Sequence, residues 1–458
     1  MEKRIEEPAK EIPVLAEADI VVAGGGMSGV VAAVAAARQG ARTILAERYA
    51  CLGGVAVMGL PIQGYCSDTG EQIVMGIPEE FRQRMIEKGG AVDYFIPCKM
   101  HNPYFCVDPE TVKIVCQEML LEAGVTVLLD TMVVDTVGTK EHLDAVIIEG
   151  KSGRQAITAK AFIDATGDAD LVVRMGASWF MSRTDELQAN TLGIILKNVD
   201  KKKFQKYLEE DPENFDLYPL LPREQIANSD YFIMAGLTKT AKKATRVKKF
   251  ENLYGMVNFV ALPQDDAVYV NSVHVSGYNP CDTVELSEME MEGRSQVEMV
   301  VEFMRSYVPG FEEAKTVMTG PWIGIRESRI IDGVECLTLD AIKKGSIPDN
   351  TIALGGYPYD FHQKDSVDNK VQFYKIPAYG IPYGCLIPKG TSNVFVAGKT
   401  ISATREAMCS SRVMAQCMAE GQAAGTAAAM CAMQNVDSMG LDVGMLREQL
   451  INDNVKLS

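Results

Sequence analysis

The feature that most constrains this chain is the stretch ADIVVAGGGMSGVVAAVAAARQGARTILAER, residues 18–48. A short apolar run, Asp19–Ala23, enters a glycine cluster, and an alanine-rich segment of helical character, Met27–Gln39, follows it. A second apolar run, Arg42–Ala46, leads into an acid, Glu47. The order strand, glycine turn, helix and strand predicts one complete βαβ unit of a parallel sheet.

The glycines of this unit have the spacing G-x-G-x-x-G, and each has a physical role. Gly24 permits the tight turn, Gly26 lets the backbone approach a pyrophosphate, and Gly29 lets the helix pack close to the strand. The free N–H groups of the first helical turn favour phosphate, and Glu47 can accept hydrogen bonds from both ribose hydroxyls. The unit predicts an adenine dinucleotide, but it does not distinguish NAD from FAD.

Length and charge limit the classes of protein and partner. With 458 residues the chain is too long for one hydrophobic core, so two or three domains are expected. A formal net charge of −16 disfavours nucleic acid and anionic lipid as partners. We expect a cytoplasmic protein without a membrane partner, because no apolar run is long enough to cross a bilayer and the first residues lack a signal-peptide core.

Cysteine and histidine usage argues against a metal or disulfide centre. None of the 11 cysteines forms a Cys-x-x-Cys pair, so we expect free, mostly buried thiols rather than an iron–sulfur cluster or a redox disulfide. The four histidines have no ligand-like spacing, so no metal site is expected. They are His101, His142, His274 and His362.

Later segments of the chain bear on the choice between NAD and FAD. CLGG, at Cys51–Gly54, closely follows the acid. The predicted strand Phe162–Ala165 runs into Thr-Gly-Asp, and the predicted strand Val394–Ala397 runs into Gly398. No second complete G-x-G-x-x-G occurs, so a separate NAD(P)H domain is not expected.

Between these segments the pattern predicts a helix over Asp108–Gly124 and then a series of strands. The first strand is Val125–Asp130, and the next three are expected to form a β-meander that returns to Phe162. These three strands are Met132–Gly138, Leu143–Gly150 and Gln155–Ala161.

With these motifs in order, the sequence resembles the FAD-dependent oxidoreductases of the glutathione-reductase-like superfamily, and within them a bacterial flavoprotein family. The resemblance rests on ADIVVAGGG, CLGG, DATGD, IPYGCLIPKG and ISATREAMCSSRVMAQCMAEGQAAGTAAA, between about Ile12 and Met430. The fumarate reductase flavoproteins are more distant relatives. The resemblance implies an α/β fold: a Rossmann-like FAD-binding domain, with a parallel sheet and a β-meander, and an inserted mixed α+β substrate or cap domain.

The resemblance also implies non-covalent FAD, because no histidine or cysteine anchor of the family stands out. Together with the opening motif, it identifies the expected cofactor-binding residues. They are Gly24, Gly26, Met27, Ser28, Gly29, Glu47, Arg48, Leu52, Gly53, Gly54, Val133, Ala165, Thr166, Gly167, Asp168, Gly398, Ser411, Arg412, Val413 and Met414.

Near the carboxyl end the sequence predicts one long helix over Arg412–Met430, with Ser410 and Ser411 as N-cap residues. Its small residues recur at i, i+3, i+4 and i+7, which favours close helix packing. They are Gly421, Ala424, Gly425 and Ala428. If the helix begins at the flavin, its dipole stabilises the negative charge of the reduced ring.

We expect three segments: residues 1–175 and 321–458 form the FAD-binding domain, and 176–320 form the inserted domain. Within the insertion, VNFVALPQDDAVYVNSVHV predicts a hairpin that turns at Gln264–Asp266. The basic run TKTAKKATRVKKF favours a solvated helix face over an anion-steering rim.

The candidate catalytic residues follow from side-chain chemistry and from matching positions in the family. Arg326 suits a substrate carboxylate or carbonyl, with an ion pair to Glu327 as the structural alternative. His362 suits general acid–base work, or else is a hydrogen-bonded loop histidine. Tyr383 could donate a proton or only pack beside a proline, and Arg412 could contact a flavin carbonyl.

Three positions depart from the common family pattern, which prevents transfer of a substrate from any relative. Arg405 stands where relatives often have histidine, Gly384 where an arginine is frequent, and Val55 where a threonine is frequent. We expect all three to lie near the substrate pocket.

The sequence therefore predicts an FAD-dependent dehydrogenase or reductase that transfers hydride to or from a small polar organic substrate. Two alternatives stay open. The chain could be a flavoprotein subunit of a multi-component electron-transfer complex, or a flavin-binding module without turnover. The expected electron partner is either a partner protein or NAD(P)H.

Overall fold

The computed structural model describes residues 5–98, 101–215, 233–255, 257–263, 266–362 and 372–458. The helices, in chain order, are α1 (Met27–Arg38), α2 (Ile77–Glu87), α3 (Pro109–Glu122), α4 (Asp170–Arg174), α5 (Lys201–Glu210), α6 (Thr238–Ala244), α7 (Thr283–Tyr307), α8 (Leu339–Lys344), α9 (Arg405–Ser411), α10 (Met414–Gln434) and α11 (Val443–Asn452).

The strands are β1 (Val14–Glu17), β2 (Ile20–Ala23), β3 (Thr43–Ala46), β4 (Thr126–Leu128), β5 (Met132–Gly138), β6 (Leu143–Gly150), β7 (Gly153–Thr158), β8 (Ala161–Asp164), β9 (Trp179–Phe180), β10 (Ile194–Lys197), β11 (Ile233–Gly236), β12 (Val257–Ala261), β13 (Val268–Asn271), β14 (Lys315–Thr319), β15 (Ile330–Ile331), β16 (Thr351–Gly355), β17 (Tyr359–Phe361), β18 (Gln372–Tyr374), β19 (Tyr379–Pro382) and β20 (Val394–Val396).

A parallel sheet with the order β20-β8-β2-β3-β4 organises the first part of the fold. Val21 at its centre pairs with Ile44 on one side and with Phe162 on the other. The three central strands are buried along their whole length, as expected of apolar runs in a parallel sheet. The predicted α/β class with a Rossmann-like parallel sheet is confirmed.

The predicted β-meander forms from β5, β6 and β7, which pair in antiparallel fashion. The strand β1 adds to its edge in parallel with β7, which gives the order β1-β7-β6-β5. The meander carries the chain back into β8, beside β2. A segment far along the chain, β20, then extends the same parallel sheet.

Helices α1 and α10 pack with their backbones close together, as the small residues of α10 predict. A Cβ atom on Gly421 would lie 2.2 Å from the carbonyl oxygen of Ser28, and one on Gly425 would lie 2.1 Å from that of Ala32. Since α1 follows the glycine turn, this contact fixes the helix whose N-terminus faces the predicted phosphate position.

The prediction of one helix from Arg412 with serine caps is wrong. The chain forms α9 first, with the Thr404 hydroxyl accepting a hydrogen bond from the Ala407 N–H, and α10 begins only after Val413, which has an extended backbone. Ser410 is not a cap because its hydroxyl donates to a backbone carbonyl in the core, that of Tyr357.

The inserted segment contains a second sheet with the order β11-β12-β13-β10-β14, whose strands are all antiparallel. The predicted hairpin forms between β12 and β13, and Gln264 and Asp265 of its turn lie outside the described residues. The short antiparallel pair β9–β15 joins Trp179–Phe180, near the start of the predicted insertion, to Ile330–Ile331, beyond its predicted end. The domain boundaries at 175 and 320 stay predictions.

The predicted basic run includes α6 and a 3₁₀ turn over Lys248–Phe250. Lys242 and Lys243 are exposed, and Lys239 and Lys249 form exposed ion pairs, which agrees with a solvated surface. In the part of the chain that the structure describes, no helix is both long and apolar enough to cross a membrane.

Candidate active site

One cavity is lined by both parts of the fold. The parallel-sheet part contributes the loops that follow β2, β3 and β8, together with the start of α10. The second sheet contributes side chains such as Asn258, Tyr269 and Asn271. A ligand in this cavity therefore contacts both the nucleotide-binding part and the insertion.

The glycine turn has the geometry that a pyrophosphate site needs. Gly24 has a φ of 104°, and a Cβ atom there would lie 2.4 Å from the carbonyl oxygen of Ala165. A Cβ atom on Gly29 would lie 1.9 Å from the carbonyl oxygen of Gly24. No side chain caps α1, so the N–H groups of its first turn remain for a ligand, and Met27 and Ser28 line the cavity.

Glu47 is buried at the carboxyl end of β3 and lines the cavity. Its carboxylate accepts hydrogen bonds from the N–H groups of Gly25, at 2.5 Å, and Tyr49, at 2.8 Å. Burial raises the pKa of Glu47, and these two hydrogen bonds oppose the rise. The bonds fix the carboxylate in place, and each oxygen retains a lone pair for a ribose hydroxyl.

The loop after β8 contributes Asp168, together with Ala165, Thr166 and Gly167, and all four line the cavity. Burial alone would raise the pKa of Asp168, but the charge of Lys399 and hydrogen bonds lower it. The Lys399 ammonium lies 3.1 Å from the carboxylate and also lines the cavity. A cation therefore stands beside the predicted pyrophosphate position, where it suits phosphate binding.

The remaining predicted cofactor residues divide into two groups. Those that line the cavity are Gly26, Arg48, Gly54, Val133, Gly398, Arg412, Val413 and Met414. Those outside its lining are Gly29, Leu52, Gly53 and Ser411. One residue of the second group connects two of the loops, because the Gly53 N–H donates to the Gly25 carbonyl at 2.9 Å.

The structure brings Arg326, His362 and Arg412 together in the same cavity. The Arg326 guanidinium donates to the Ala189 carbonyl at 2.5 Å, and no carboxylate of the described residues forms an ion pair with it. The predicted alternative, an ion pair with Glu327, does not form because Glu327 pairs with Arg405 at 2.6 Å. A cation in the cavity without a paired carboxylate suits an anionic ligand.

Asp360 connects His362 and Arg412. Its Oδ2 lies 3.1 Å from Nε2 of His362 and 3.8 Å from the Arg412 guanidinium. Burial alone would raise the pKa of Asp360, but the charge and hydrogen bond of His362 and the charge of His101, which act at low pH where both histidines are protonated, lower it together with the charge of Arg412. Burial lowers the pKa of His362, and Asp360 partly opposes that effect. At neutral pH the carboxyl is ionised and the imidazole is neutral.

Tyr383 does not join this cluster. Its side chain is buried, and its hydroxyl donates to the Ser438 carbonyl at 2.8 Å, whereas the residue is outside the cavity lining. The resemblance to the family placed Tyr383 near the site, but its side chain packs toward the carboxyl-terminal segment. Its position supports the structural alternative, a packed tyrosine.

Two of the three departures from the family pattern lie outside the cavity lining, contrary to expectation. Arg405 is held by Glu327, and Gly384 donates its N–H to Glu335 at 3.0 Å. A Cβ atom on Gly384 would lie 2.6 Å from the Glu335 carboxylate. Only Val55 lines the cavity.

Sequence reasoning missed several lining residues, and two of them, His101 and Trp322, lie in distant segments that carry no motif. His101 lines the cavity beside the His362 cluster, and burial lowers its pKa to about 4. Tyr49 and Trp322 stack with ring centroids 3.8 Å apart, and both line the cavity. The position of Tyr49, two residues after the acid of the βαβ unit, was the one available signal.

Comparisons with known proteins agree with this geometry. A family model described as "FAD dependent oxidoreductase" matches residues 19–450. A search of curated proteins gave no match. A geranylgeranyl bacteriochlorophyll reductase-like protein from Thermoplasma acidophilum superimposes with a TM-score of 0.50 at 12% identity, over 96% of this chain and 84% of that one.

Two further solved structures have lower scores. The myxobacterial chondrochloren halogenase CndH has a TM-score of 0.49 at 14% identity, over 95% of this chain and 78% of that one. The p-nitrophenol 4-monooxygenase PnpA from Pseudomonas putida DLL-E4 has a TM-score of 0.45 at 12% identity, over 96% and 85%. At 12% identity the likeness to the T. acidophilum protein indicates the fold alone.

Proposed function

The chain belongs to the FAD-dependent oxidoreductase family, and from this premise we propose that it transfers a hydride between a small polar organic substrate and non-covalently bound FAD. One observation carries the proposal. The cavity that contains the glycine turn and Glu47 is also lined by Arg326, His362 and Arg412. FAD supplies the hydride chemistry when it is bound, and the protein supplies binding, orientation and charge.

The described residues fit an extended dinucleotide along this cavity. We propose that Glu47 binds the adenosine ribose and that the first turn of α1, with Lys399, binds the pyrophosphate. Arg412, Val413 and Met414 would then face the flavin. Because no side chain caps α10, the positive end of its dipole is available to negative charge on the ring.

The side chains near Asp360 have the chemistry that a substrate site needs. Arg326 can bind a carboxylate or polarise a carbonyl, since it remains cationic. Neutral His362 can accept a proton, and the Asp360 carboxylate at 3.1 Å would stabilise the imidazolium that forms. Asp360 therefore supports proton transfer at His362, which is the proposed acid–base group.

The proposal includes two finer family relationships: membership of the glutathione-reductase-like superfamily and a distant relation to fumarate reductase flavoproteins. It also includes an electron partner, which is either a protein or NAD(P)H. The motifs support the relationships. The basis for an external electron partner is that the sequence contains a single G-x-G-x-x-G fingerprint.

The experiment is anaerobic reduction of the purified holoenzyme. The cofactor is released by heat and identified, and the holoenzyme is then mixed with NADH and, separately, with hydroxy acids, enoates, amines and sugars. Bleaching of the flavin absorbance by an organic substrate is the expected result. If purified protein supplied with FAD retains none, or if a chemically reducible flavin resists every substrate, the proposal fails.

A first prediction concerns the stacked pair Tyr49–Trp322, whose two rings line the cavity. Trp322→Leu should raise the dissociation constant for FAD about fivefold, because a stacked aromatic pair contributes about 1 kcal/mol. Trp322→Phe should retain most of the affinity. The measurement is equilibrium dialysis of apoprotein against FAD.

The chain offers a matched control for this prediction, since its only other tryptophan is Trp179, which is 42% exposed. Trp179→Phe should leave the FAD affinity unchanged. It also leaves Trp322 as the one indole, whose fluorescence FAD should quench. Equal FAD affinity in Trp322→Leu and in the unsubstituted protein would contradict the prediction.

A further inference from the structure

The inner part of the cavity contains polar atoms that are buried without a partner. Nδ1 of His101, Oδ1 of Asp360 and Nε of Arg412 have no hydrogen-bond partner among the described residues. All three side chains line the cavity. Buried polar groups are nearly always hydrogen-bonded, so the three atoms together point to a polar ligand that completes them.

These atoms restrict the chemistry of the ligand, because some of them only accept a hydrogen bond and others only donate one. An ionised Asp360 oxygen only accepts, so the ligand must bring a donor to it. The Nε–H of Arg412 only donates, as does the guanidinium of Arg326, so the ligand must also bring acceptors. Neutral His101 can accept at Nδ1 when its proton is on Nε2, and it can donate from Nδ1 in the other tautomer. A ligand with a hydroxyl group and a separate acceptor group satisfies both requirements.

The charges in this cluster decide what kind of acceptor group fits. Arg326 and Arg412 contribute two positive charges, and Asp360 balances one of them at 3.8 Å from Arg412. His101 and His362 are both neutral at neutral pH, since burial lowers the pKa of each. One positive charge remains, and it matches a single carboxylate.

Resting on the proposed function, we infer that the substrate is a small hydroxy acid. Its single carboxylate binds Arg326. Its hydroxyl donates its one proton to the unpartnered Oδ1 of Asp360, and the hydroxyl oxygen accepts from His101 in the Nδ1–H tautomer. The second sheet adds neutral polar groups, Asn258 and Asn271, to the same cavity. These amides can bind further hydroxyl or carbonyl groups without adding charge.

The test is binding to the oxidised holoenzyme, measured by calorimetry under anaerobic conditions and by the change in flavin absorbance. The probes form matched sets: mandelate with phenylacetate and benzyl alcohol, and lactate with propionate and propan-2-ol. We expect a hydroxy acid of at least one set to bind about tenfold or more tightly than either partner of its set, since each partner leaves buried groups unpaired. Equal binding within both sets would overturn the inference.

Two variants assign the contacts. Arg326→Gln should weaken binding of hydroxy acids by about tenfold or more, while the preserved FAD spectrum shows that the cofactor site is intact. His101→Phe keeps a ring beside Tyr357, whose ring centroid lies 5.9 Å away, and should reduce the preference for the hydroxy acid over its deoxy analogue. Matched controls are Arg183→Gln and His142→Phe, because both side chains are on the surface.

The outcomes separate this inference from the proposed function. If no hydroxy acid is preferred but another organic compound bleaches the flavin, the proposed function stands and the substrate class is wrong. If the protein retains no FAD, the proposed function itself fails. If hydroxy acids are preferred but Arg326→Gln binds them equally well, the assignment of the carboxylate to Arg326 is overturned.

Discussion

Gly421→Ala is expected to lower the free energy of unfolding by about 2–3 kcal/mol, the upper part of the range of about 1–3 kcal/mol for overpacking. The new methyl group would lie 2.2 Å from the carbonyl oxygen of Ser28, in the backbone of α1, so no side-chain rotation can relieve the clash. Helix α1 must move, and its N-terminus faces the proposed pyrophosphate. The measurement is urea unfolding of apoprotein and holoprotein, together with the FAD dissociation constant.

Gly293→Ala is the matched control, because Gly293 also lies inside a long helix, α7, and is buried. A Cβ atom there would have its nearest neighbour at 3.4 Å, the Cδ1 atom of Ile323, which is an ordinary contact. Alanine should therefore stabilise the protein by about 0.5–1 kcal/mol through its higher helix propensity. Equal effects of the two substitutions would show that helix propensity, rather than the contact with α1, determines the result.

The parts of the fold that could be predicted have strong local signals. The βαβ unit was evident because the glycine turn, the alanine-rich helix and the buried strands each restrict the backbone in the same way. The meander was evident from its alternating apolar runs. The break between α9 and α10 was not predicted, because the residues around it are mostly helix formers and Val413 alone has the extended backbone.

The candidate site shows the same division between local and distant information. Glu47 was predictable because it follows a strand at a fixed distance from the glycines, and it lines the cavity. His101 and Trp322 were not, since long-range packing alone brings them to the cavity and neither belongs to a motif. Tyr383 shows the converse, because a motif residue can turn its side chain away from the site.

The second prediction with a large expected effect is that Asp360→Asn lowers turnover by about 100-fold or more while FAD stays bound, which is in the range for general acid–base catalysis. Asparagine has nearly the same shape and can still accept from the Tyr357 hydroxyl, now 3.2 Å from the carboxylate. It lacks the charge that would stabilise the imidazolium of His362. The measurement is steady-state turnover with the substrate that bleaches the flavin, together with the FAD content of the variant.

The pH profile distinguishes this role from a purely structural one. The Asp360 carboxylate raises the pKa of His362 against the opposing effect of burial, so its neutralisation should lower that pKa further. A base of lower pKa loses its proton at lower pH, and the acid limb of the kcat/KM profile should therefore move to lower pH. Asp340→Asn, at an exposed ion pair with Lys344, should leave both turnover and profile unchanged. A loss of turnover in Asp360→Asn without movement of the acid limb would assign the carboxylate to holding Arg412 and Tyr357 in place rather than to the proton transfer at His362.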